Sequence, residues 1–519
     1  MPSINSSQDT VVARLPVSEL RMKLRLRPRL APSSSFAPPD PETLSHRIVE
    51  GKRELDRITD NALSGVSAAC RDALPAEALD DGQFAIQQRG PLPLPTELSH
   101  RALDGRHLWI GVEDGIAITL GPDEHALFLG LRDGLSPTEL VEATSTISAD
   151  LARTRVYDLI GRLALSGFIR GVHGMTDRWV PNARRFMRLH LTQRCNLTCV
   201  HCYSDSSPFV SGEGEISEER WTRLIDDFAD AGGERVLFTG GEALVFKGCD
   251  RLIRKAKSRD LEVTLFSNGL LVDRHLDVIR ECVDQVQISI DGPDAETNDL
   301  IRGAGSFKRA KEAVDLLVAA GVKVRISMVV MQANIEQMKR GFVQFASQWP
   351  RGAVGWRLGY GVAYHGRGEE LGDPLGIADV RPIVDSLLEA VEGPSEPLIA
   401  RSTKGCGYAE QVVVAPDGSV HPCHLLDGAV AHIDDQPMEA LLSILSTTSQ
   451  EFDVDHTVGC RGCDIRNLCG GGCRILNGKT TGNRRVTNCT AEDKLHRLQN
   501  LAEVFSEDQI PQPLAGDWE

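Results

Sequence analysis

Cys195, Cys199 and Cys202 stand in the run Cys195-Asn196-Leu197-Thr198-Cys199-Val200-His201-Cys202-Tyr203, a C-x3-C-x2-C spacing. Thiols so close together lie within reach of one loop wrapped around one cluster. A cubane iron–sulfur cluster held by three cysteines keeps one iron without a protein ligand. An open iron is a place where a second molecule coordinates and reacts. Seven more cysteines crowd the other end of the chain. Cys406 and Cys423 flank the turn Pro416-Asp417-Gly418, Cys460, Cys463, Cys469 and Cys473 follow in C-x2-C-x5-C-x3-C, and Cys489 closes the series. Four of these suit one structural zinc. Seven exceed a single tetrahedral site and fit two sites with one ligand short, and spacing alone leaves the metal open between zinc and iron. Cys70, Cys249 and Cys282 stand apart, and buried, inert thiols are the default for such singles.

The elements that must position these groups show in a change of rhythm near Phe186. Strand candidates at 186–191, 235–239, 262–267, 285–290, 324–331 and 354–359 alternate with helix candidates at 217–231, 249–258, 273–282, 306–320, 335–348 and 378–392. Such alternation implies an α/β fold with a parallel sheet, open or closed into a barrel. Folds of this kind carry their reactive groups at the carboxyl ends of strands, and the first three cysteines follow the first strand. Short polar groups recur at later strand ends: Gly240-Gly241-Glu242 after the second, Ser267-Asn268 after the third, Ser289 after the fourth with Arg302 beyond. Paired glycines let backbone approach a ligand closely. Arg302 suits a carboxylate because its guanidinium binds bidentately.

The remainder bounds the setting. The chain has 519 residues, enough for two to four domains, with 41% hydrophobic and 25% charged residues. Net charge is −16, which argues against nucleic acid as the main partner. The start lacks a basic-then-apolar signal and no long apolar run follows, so a cytoplasmic protein without a membrane span is expected. In that reducing setting, clustered cysteines point to metal rather than disulfides. Residues 1–45, rich in Ser, Pro and Arg, are expected to be disordered. Within them, Arg21–Arg29 alternates basic and mostly apolar residues and fits a solvated arm or an edge strand. Residues 46–104 hold one amphipathic helix and a Pro-rich connector, Pro91–Pro95. Residues 105–172 combine strand candidates at 108–112 and 116–120 with three helices near 122–132, 137–147 and 151–166, a winged-helix-like unit. The main α/β unit is expected over 184–395, a cysteine-rich one over 401–495, and a tail over 496–519.

Taken together, the C-x3-C-x2-C loop and the polar groups at the next three strand ends resemble the radical S-adenosylmethionine (SAM) superfamily, over about residues 186–392. The resemblance implies a partial (β/α)6 TIM-like barrel and a [4Fe–4S] cluster on Cys195, Cys199 and Cys202, the catalytic centre. It further implies SAM bound through its amino and carboxylate groups to the open iron. Tyr203 and Gly240, Gly241 and Glu242 would lie against SAM, the last three at its amino group. Ser267 and Asn268 would meet its ribose and carboxylate, and Ser289 with Arg302 would add a further carboxylate contact. Ala243 departs from the proline that commonly follows the glutamate. The chemistry implied is reductive cleavage of SAM to a 5′-deoxyadenosyl radical that takes hydrogen from an unreactive C–H bond. The cofactors carry the hard step while the protein positions and shields.

The C-terminal pattern looks like the SPASM extension of peptide-modifying radical enzymes, which implies two auxiliary iron–sulfur clusters. Cys406, Cys423 and Cys473 would hold the first, with a fourth ligand not evident. Cys460, Cys463, Cys469 and Cys489 would hold the second. His424 stands where the sulfatase-maturing branch has an aspartate, which argues against that activity. Residues 105–172 resemble the recognition element that binds leader peptides by strand addition. The expected function is modification of a ribosomally made precursor peptide by a carbon–carbon or carbon–heteroatom cross-link, with electrons from a flavodoxin or ferredoxin. Alternatives are a maturase of a folded protein, a modifier of a small molecule, or a zinc-stabilised DNA-binding regulator.

Overall fold

The computed structural model describes residues 12–16, 83–87, 90–144, 149–169, 186–363, 365–373, 375–393 and 404–504. The helix expected near residues 48–66, Cys70 and the Arg21–Arg29 run lie outside the described residues. Within the segment expected to be disordered, β1 (Val12–Pro16) pairs antiparallel with β2 (Gln83–Gln87).

Upstream of the main unit, β3 (Leu98–Leu103), β4 (Arg106–Gly111) and β5 (Ile116–Leu120) form an antiparallel sheet in that order. β3 falls in the stretch expected to be connector. Its polar sequence, Leu-Ser-His-Arg-Ala-Leu, leaves it only part-buried, so it carries no strong apolar alternation. Helices α1 (Pro122–Arg132), α2 (Pro137–Ala143) and α3 (Ala149–Leu165) follow. A capping box between Ser136 and Glu139 starts α2. Trp109, Ile118 and Leu120 turn toward these helices and pack on Phe128, Leu140, Leu159, Ile160 and Phe168. The alternate residues Leu108, Ile110 and Ala117 leave the sheet on its other face.

The main unit places strands β6 (Phe186–His190), β7 (Arg235–Thr239), β8 (Glu262–Ser267), β9 (Gln285–Ser289), β10 (Val324–Val330) and β11 (Val354–Tyr360) side by side, all parallel and in chain order. These match the expected positions to within a residue. Between them run α4 (Glu218–Asp230), α5 (Cys249–Ser258), α6 (Val272–Cys282), α7 (Ala295–Arg302), α8 (Ser306–Ala319) and α9 (Ile335–Ala346). After β11 come α10 (Arg367–Leu371) and α11 (Ile377–Glu392). α4 shows the logic: Ser217 caps its start, and Trp221, Leu224, Ile225 and Phe228 form one buried stripe against the sheet. Val236–Phe238 of β7 is a continuous buried apolar run, whereas β10 alternates buried and part-buried residues along its length. Cys249 and Cys282 are buried in this core, as expected of structural thiols.

The sheet then continues. β12 (Val412–Val414) pairs parallel with β6, β13 (Ser419–His421) pairs antiparallel with β12, and β14 (Ala431–His432) completes nine strands. α12 (Met438–Glu451), the short α13 (Arg466–Cys469), α14 (Arg474–Thr481) and α15 (Ala491–Val504) close the described chain. α15 and Ile465 cover the second face of the β3–β5 sheet, where Leu108, Ile110, Val112 and Ala117 meet Leu498 and Ala502. Among the described residues, no helix is long and apolar enough to cross a membrane.

Candidate active site

The loop between β6 and α4 carries Cys195, Cys199 and Cys202, each half-buried. Backbone bonds pin it at intervals: Cys195 N donates to Ser207 O (3.2 Å), Cys202 N to Cys199 O (3.3 Å) and Val200 N to Ile301 O (3.0 Å). Burial pushes the Cys195 thiol up to about 12, with Glu242 raising it further, and Cys199 is raised by burial as well. Such thiols need a cation beside them to ionise.

Gly240 and Gly241 have a different first task from the one expected. A Cβ on Gly240 would lie 2.6 Å from Thr192 O, and one on Gly241 2.4 Å from Arg194 O. Gly241 N donates to Thr192 O (2.7 Å) and Glu242 N to Arg194 O (3.0 Å). The end of β7 thus crosses directly beneath the cysteine loop, and bare backbone is required for that approach.

Glu242, 2% exposed, accepts from Ser267 Oγ (3.0 Å), Leu244 N (3.2 Å) and Asn268 N (2.7 Å), and burial raises its pKa. Ser267 therefore spends its hydroxyl on Glu242 and accepts from Gly269 N (3.0 Å). Asn268 turns toward the loop, its Nδ2 2.7 Å from Asn196 Oδ1 and 3.8 Å from Cys195 Sγ. Glu242, Ser267 and Asn268 converge on the Cys195 end of the loop.

The Cys199 end is organised by a residue with no role assigned from its place in the chain. Asp291, wholly buried, accepts from Val329 N at Oδ1 (2.7 Å). Its Oδ2 lies 2.6 Å from Arg302 Nε and 3.2 Å from His201 Nε2. Arg302, expected to meet a ligand carboxylate, is first of all the partner of this internal one. Its Nη1 also reaches to 4.0 Å from Cys199 Sγ. Ser289 stands in register beside Ser327 at the end of β9. Arg367 was missed too. Its backbone N donates to Cys202 O (3.0 Å), and its side chain holds Cys199 O (3.0 Å), Ser206 O (2.7 Å) and Asp205 (2.5 Å). Flanking Gly366 and Gly368 admit it, since a Cβ on either would strike carbonyls at 2.6 and 2.5 Å. Gly-Arg-Gly just past β11 was the available signal.

Tyr203 links the two cysteine regions. Its ring lies edge-on to His190 (6.5 Å) and His424 (6.0 Å), and burial lifts its hydroxyl to about 12. His424 is accessible yet crowded by protein, and that crowding, with Arg188 and Arg357 nearby, lowers it to about 3. It is a neutral imidazole at pH 7 rather than a freely solvated one. The C-terminal thiols fall into two neighbourhoods. Cys423 senses Cys406 and Cys473, and Cys460 senses Cys469 and Cys463, with Cys489 beside Cys469 and Cys460. Burial raises Cys423 to about 12.

A third cluster lies in the β3–β5 unit. His100, His107 and His125 bring ring nitrogens within 4.8 Å of one another. His107 and His125 are stacked at 3.7 Å and 3°, so their in-plane lone pairs do not converge on one ion, and Trp109 Nε1 donates to His125 Nδ1 (3.0 Å). This is a hydrogen-bonded stack rather than a metal site.

The donor set fits a [4Fe–4S] cluster with SAM: three thiols on one short loop, bordered by a buried carboxylate, an amide and a guanidinium, with glycine backbone beneath. Comparison of the sequence with known proteins agrees. Residues 189–341 match the model of the radical SAM superfamily. The AdoMet-dependent heme synthase of Methanosarcina barkeri is 29% identical, over 58% of this chain and 95% of its own length. The PqqA peptide cyclase of Granulibacter bethesdensis is 25% identical, over 57% of this chain and 84% of its own. Streptococcus suis SuiB bound to S-adenosylmethionine aligns over 76% of this chain and 99% of its own, with TM-score 0.47 and 14% identity.

Proposed function

We propose, from the premise that the chain is an enzyme with a radical SAM domain at residues 189–341, that it modifies a ribosomally made precursor peptide, by a cross-link from one side chain to another carbon or heteroatom. Bound on Cys195, Cys199 and Cys202, a reduced [4Fe–4S] cluster with SAM supplies a 5′-deoxyadenosyl radical able to take hydrogen from an unactivated C–H bond. Arg367, His201 and the Asp291–Arg302 pair hold the cysteine loop in shape. Glu242 and Asn268 border the place where the amino acid end of SAM would lie, and Tyr203 closes it toward Cys423. The (β/α)6 sheet in this reading is a partial barrel with its mouth at these strand ends. The C-terminal cysteines would hold two auxiliary clusters, whose part would be to accept the surplus electron. A flavodoxin or ferredoxin in the cytoplasm supplies the first one.

The observation that carries the peptide reading is β3. Among the described residues it is an edge strand, on a winged-helix-like unit whose opposite sheet face is fixed to the cysteine-bearing segment. An edge there accepts an added strand of leader peptide and raises the concentration of the attached core at the barrel mouth. The similarity to a peptide cyclase supports it. The similarity to a heme synthase supports a second reading, a small-molecule substrate such as a tetrapyrrole.

Deleting residues 1–172 would bare Ile465 and Leu498, so the test keeps the full chain. Anaerobically reconstituted enzyme is given short peptides encoded beside its gene, each with and without its leader, and separately an iron porphyrin. Leader-dependent loss of a hydrogen pair from the peptide, read by mass spectrometry, is expected. Consumption of the porphyrin with every peptide untouched would overturn the peptide reading.

A further inference from the structure

Helices cover one face of the parallel sheet, and strand alternation gives the other face a set of side chains of its own. Met187 and Leu189 enter the core, which turns Arg188 and His190 to the opposite face. Val354, Trp356 and Leu358 do the same for Gly355, Arg357 and Gly359. Barrel interiors are ordinarily filled by branched apolar side chains, yet Thr239, Gln287, Ser289 and Ser327 share this face with the arginines. Resting on the reading of the substrate as a precursor peptide, we infer that Arg188 and Arg357 form a carboxylate subsite. It takes an acidic side chain, or the C-terminal carboxylate, of the peptide segment being modified.

Arg188 reaches across the face: its Nε donates to Gln411 Oε1 (3.2 Å), and its guanidinium lies over the rings of Phe186 (5.8 Å) and Phe266 (5.6 Å). Arg357, exposed, stands in register with Ser327 and through it with Ser289, at the carboxyl ends of the strands. Both guanidiniums are near Tyr203 and His424, between the two cysteine regions, and Arg188 is near Cys423 as well. Two glycines supply an independent sign of a ligand. Gly355 and Gly359 flank Arg357 on its own face, neither has a positive φ, and a Cβ there would come no closer than 3.8 and 3.6 Å to any atom. Neither backbone conformation nor packing asks for glycine, which weakens a strand and marks close approach of a ligand. Their effect is open room on both sides of the guanidinium. On the same face His190, 1% exposed, has no hydrogen-bond partner for Nε2 among the described residues. The acid on this face of the six strands, Glu262, begins β8 at their far end. In a ribosomally made peptide the group that complements paired guanidiniums is a carboxylate. Glu242 and Asn268 border the amino acid end of SAM beside Cys195, which leaves the arginines for the substrate.

The test measures kcat/KM of reconstituted enzyme on the peptide it modifies and on altered copies. In these each Asp or Glu of the core becomes Asn or Gln in turn, and one further copy ends in a C-terminal amide. One such change should cost the parent at least about tenfold, and it identifies the carboxylate that is bound. Arg357→Ala and Arg188→Ala should lose this discrimination and treat acid and amide alike, while Arg357→Lys should keep part of it. Gly359→Val should raise KM for the acidic peptide by filling the room beside Arg357. A merely structural role would slow both peptides equally, and equal losses in Arg357→Ala would overturn the inference. So would a parent indifferent to every carboxylate, or a rise in KM for SAM in place of the peptide. Failure of the peptide reading looks different: the parent leaves every peptide untouched and consumes an iron porphyrin. That removes a peptide carboxylate as the occupant, whereas a porphyrin methyl ester refused by the parent and accepted by Arg357→Ala would keep the subsite.

Discussion

Asp291 gathers three groups from different parts of the chain: the Val329 amide, the Arg302 guanidinium and the His201 ring. Breaking a buried ion pair by removing one partner leaves an uncompensated charge, which costs about 3–5 kcal/mol. Asp291→Ala should therefore lower the unfolding free energy by that amount, read as a lower urea midpoint at unchanged slope. A loss below roughly 1 kcal/mol, the worth of an exposed pair, would show that the pair holds nothing together. Gly241→Ala tests the approach of β7 to the cysteine loop. Its new methyl would strike Arg194 O, so loss of loop iron and at least a tenfold (about 1.4 kcal/mol) fall in SAM cleavage are expected. Gly462→Ala, which meets nothing within 4 Å, is the control, and equal activity in the two variants would refute the steric account. At this scale the sequence disclosed what spacing discloses. Cys195–Cys202 and Gly240–Glu242 announce themselves because their neighbours in the chain are their neighbours in space. Asp291 and Arg367 do not, because each acts on a loop about ninety or more residues away in sequence. The prior engagement of Arg302 was hidden for another reason: Asp291 is only eleven residues away, but no fixed spacing marks the pair.

The six parallel strands were legible because each is a short segment with apolar residues, continuous in β7 and alternating in β10, set between turn residues and helical stretches. α7 was not. It is an eight-residue helix started by Asp294, whose side chain accepts from Thr297 N (2.8 Å), inside what reads as one long connection. β12 to β14 escaped because two- and three-residue strands carry no period. At β3 and β4 the histidine stack gives an element-scale prediction. Burial first, then mutual repulsion with help from Arg101 and Arg132, lowers His100 and His125, the latter to about 4, and burial lowers His107. The unfolded chain thus takes up protons first. The stack's stabilising contribution is complete above the ordinary histidine value of 6.5 and is lost as pH falls toward about 4. Amide exchange in β3 and β4, corrected for intrinsic rate, should quicken between pH 7.5 and 5, and His125→Gln should flatten the change. An unaltered pH dependence in that variant would place the acid sensitivity elsewhere.

Across the whole molecule, the β3–β5 sheet is a wall shared by two units. Its outer face meets α15 and Ile465, with Asn467 Nδ2 donating to Val112 O (2.8 Å), Ser99 Oγ to Asp464 (2.8 Å), and Arg466 paired with Glu113. Ile110→Ala should cost about 2–5 kcal/mol as a fully buried side chain. It should also quicken exchange in α15 as well as in β4. Protection lost in β4 alone would mean that the two units are not coupled.

β12 also has a meaning for anyone who would divide this protein. By pairing along β6 it covers the strand that leads into the cysteine loop, so the parallel sheet has no bare border on that side. A chain cut before Gly405 would present the β6 border as open hydrogen-bonding edge, a template for pairing with another copy. Such a truncate should emerge from expression as aggregate or exchanged dimer, however intact its cysteine motif. Grafting the C-terminal segment of a relative onto this barrel therefore means supplying a β12 that fits β6, before any question of which metal it carries.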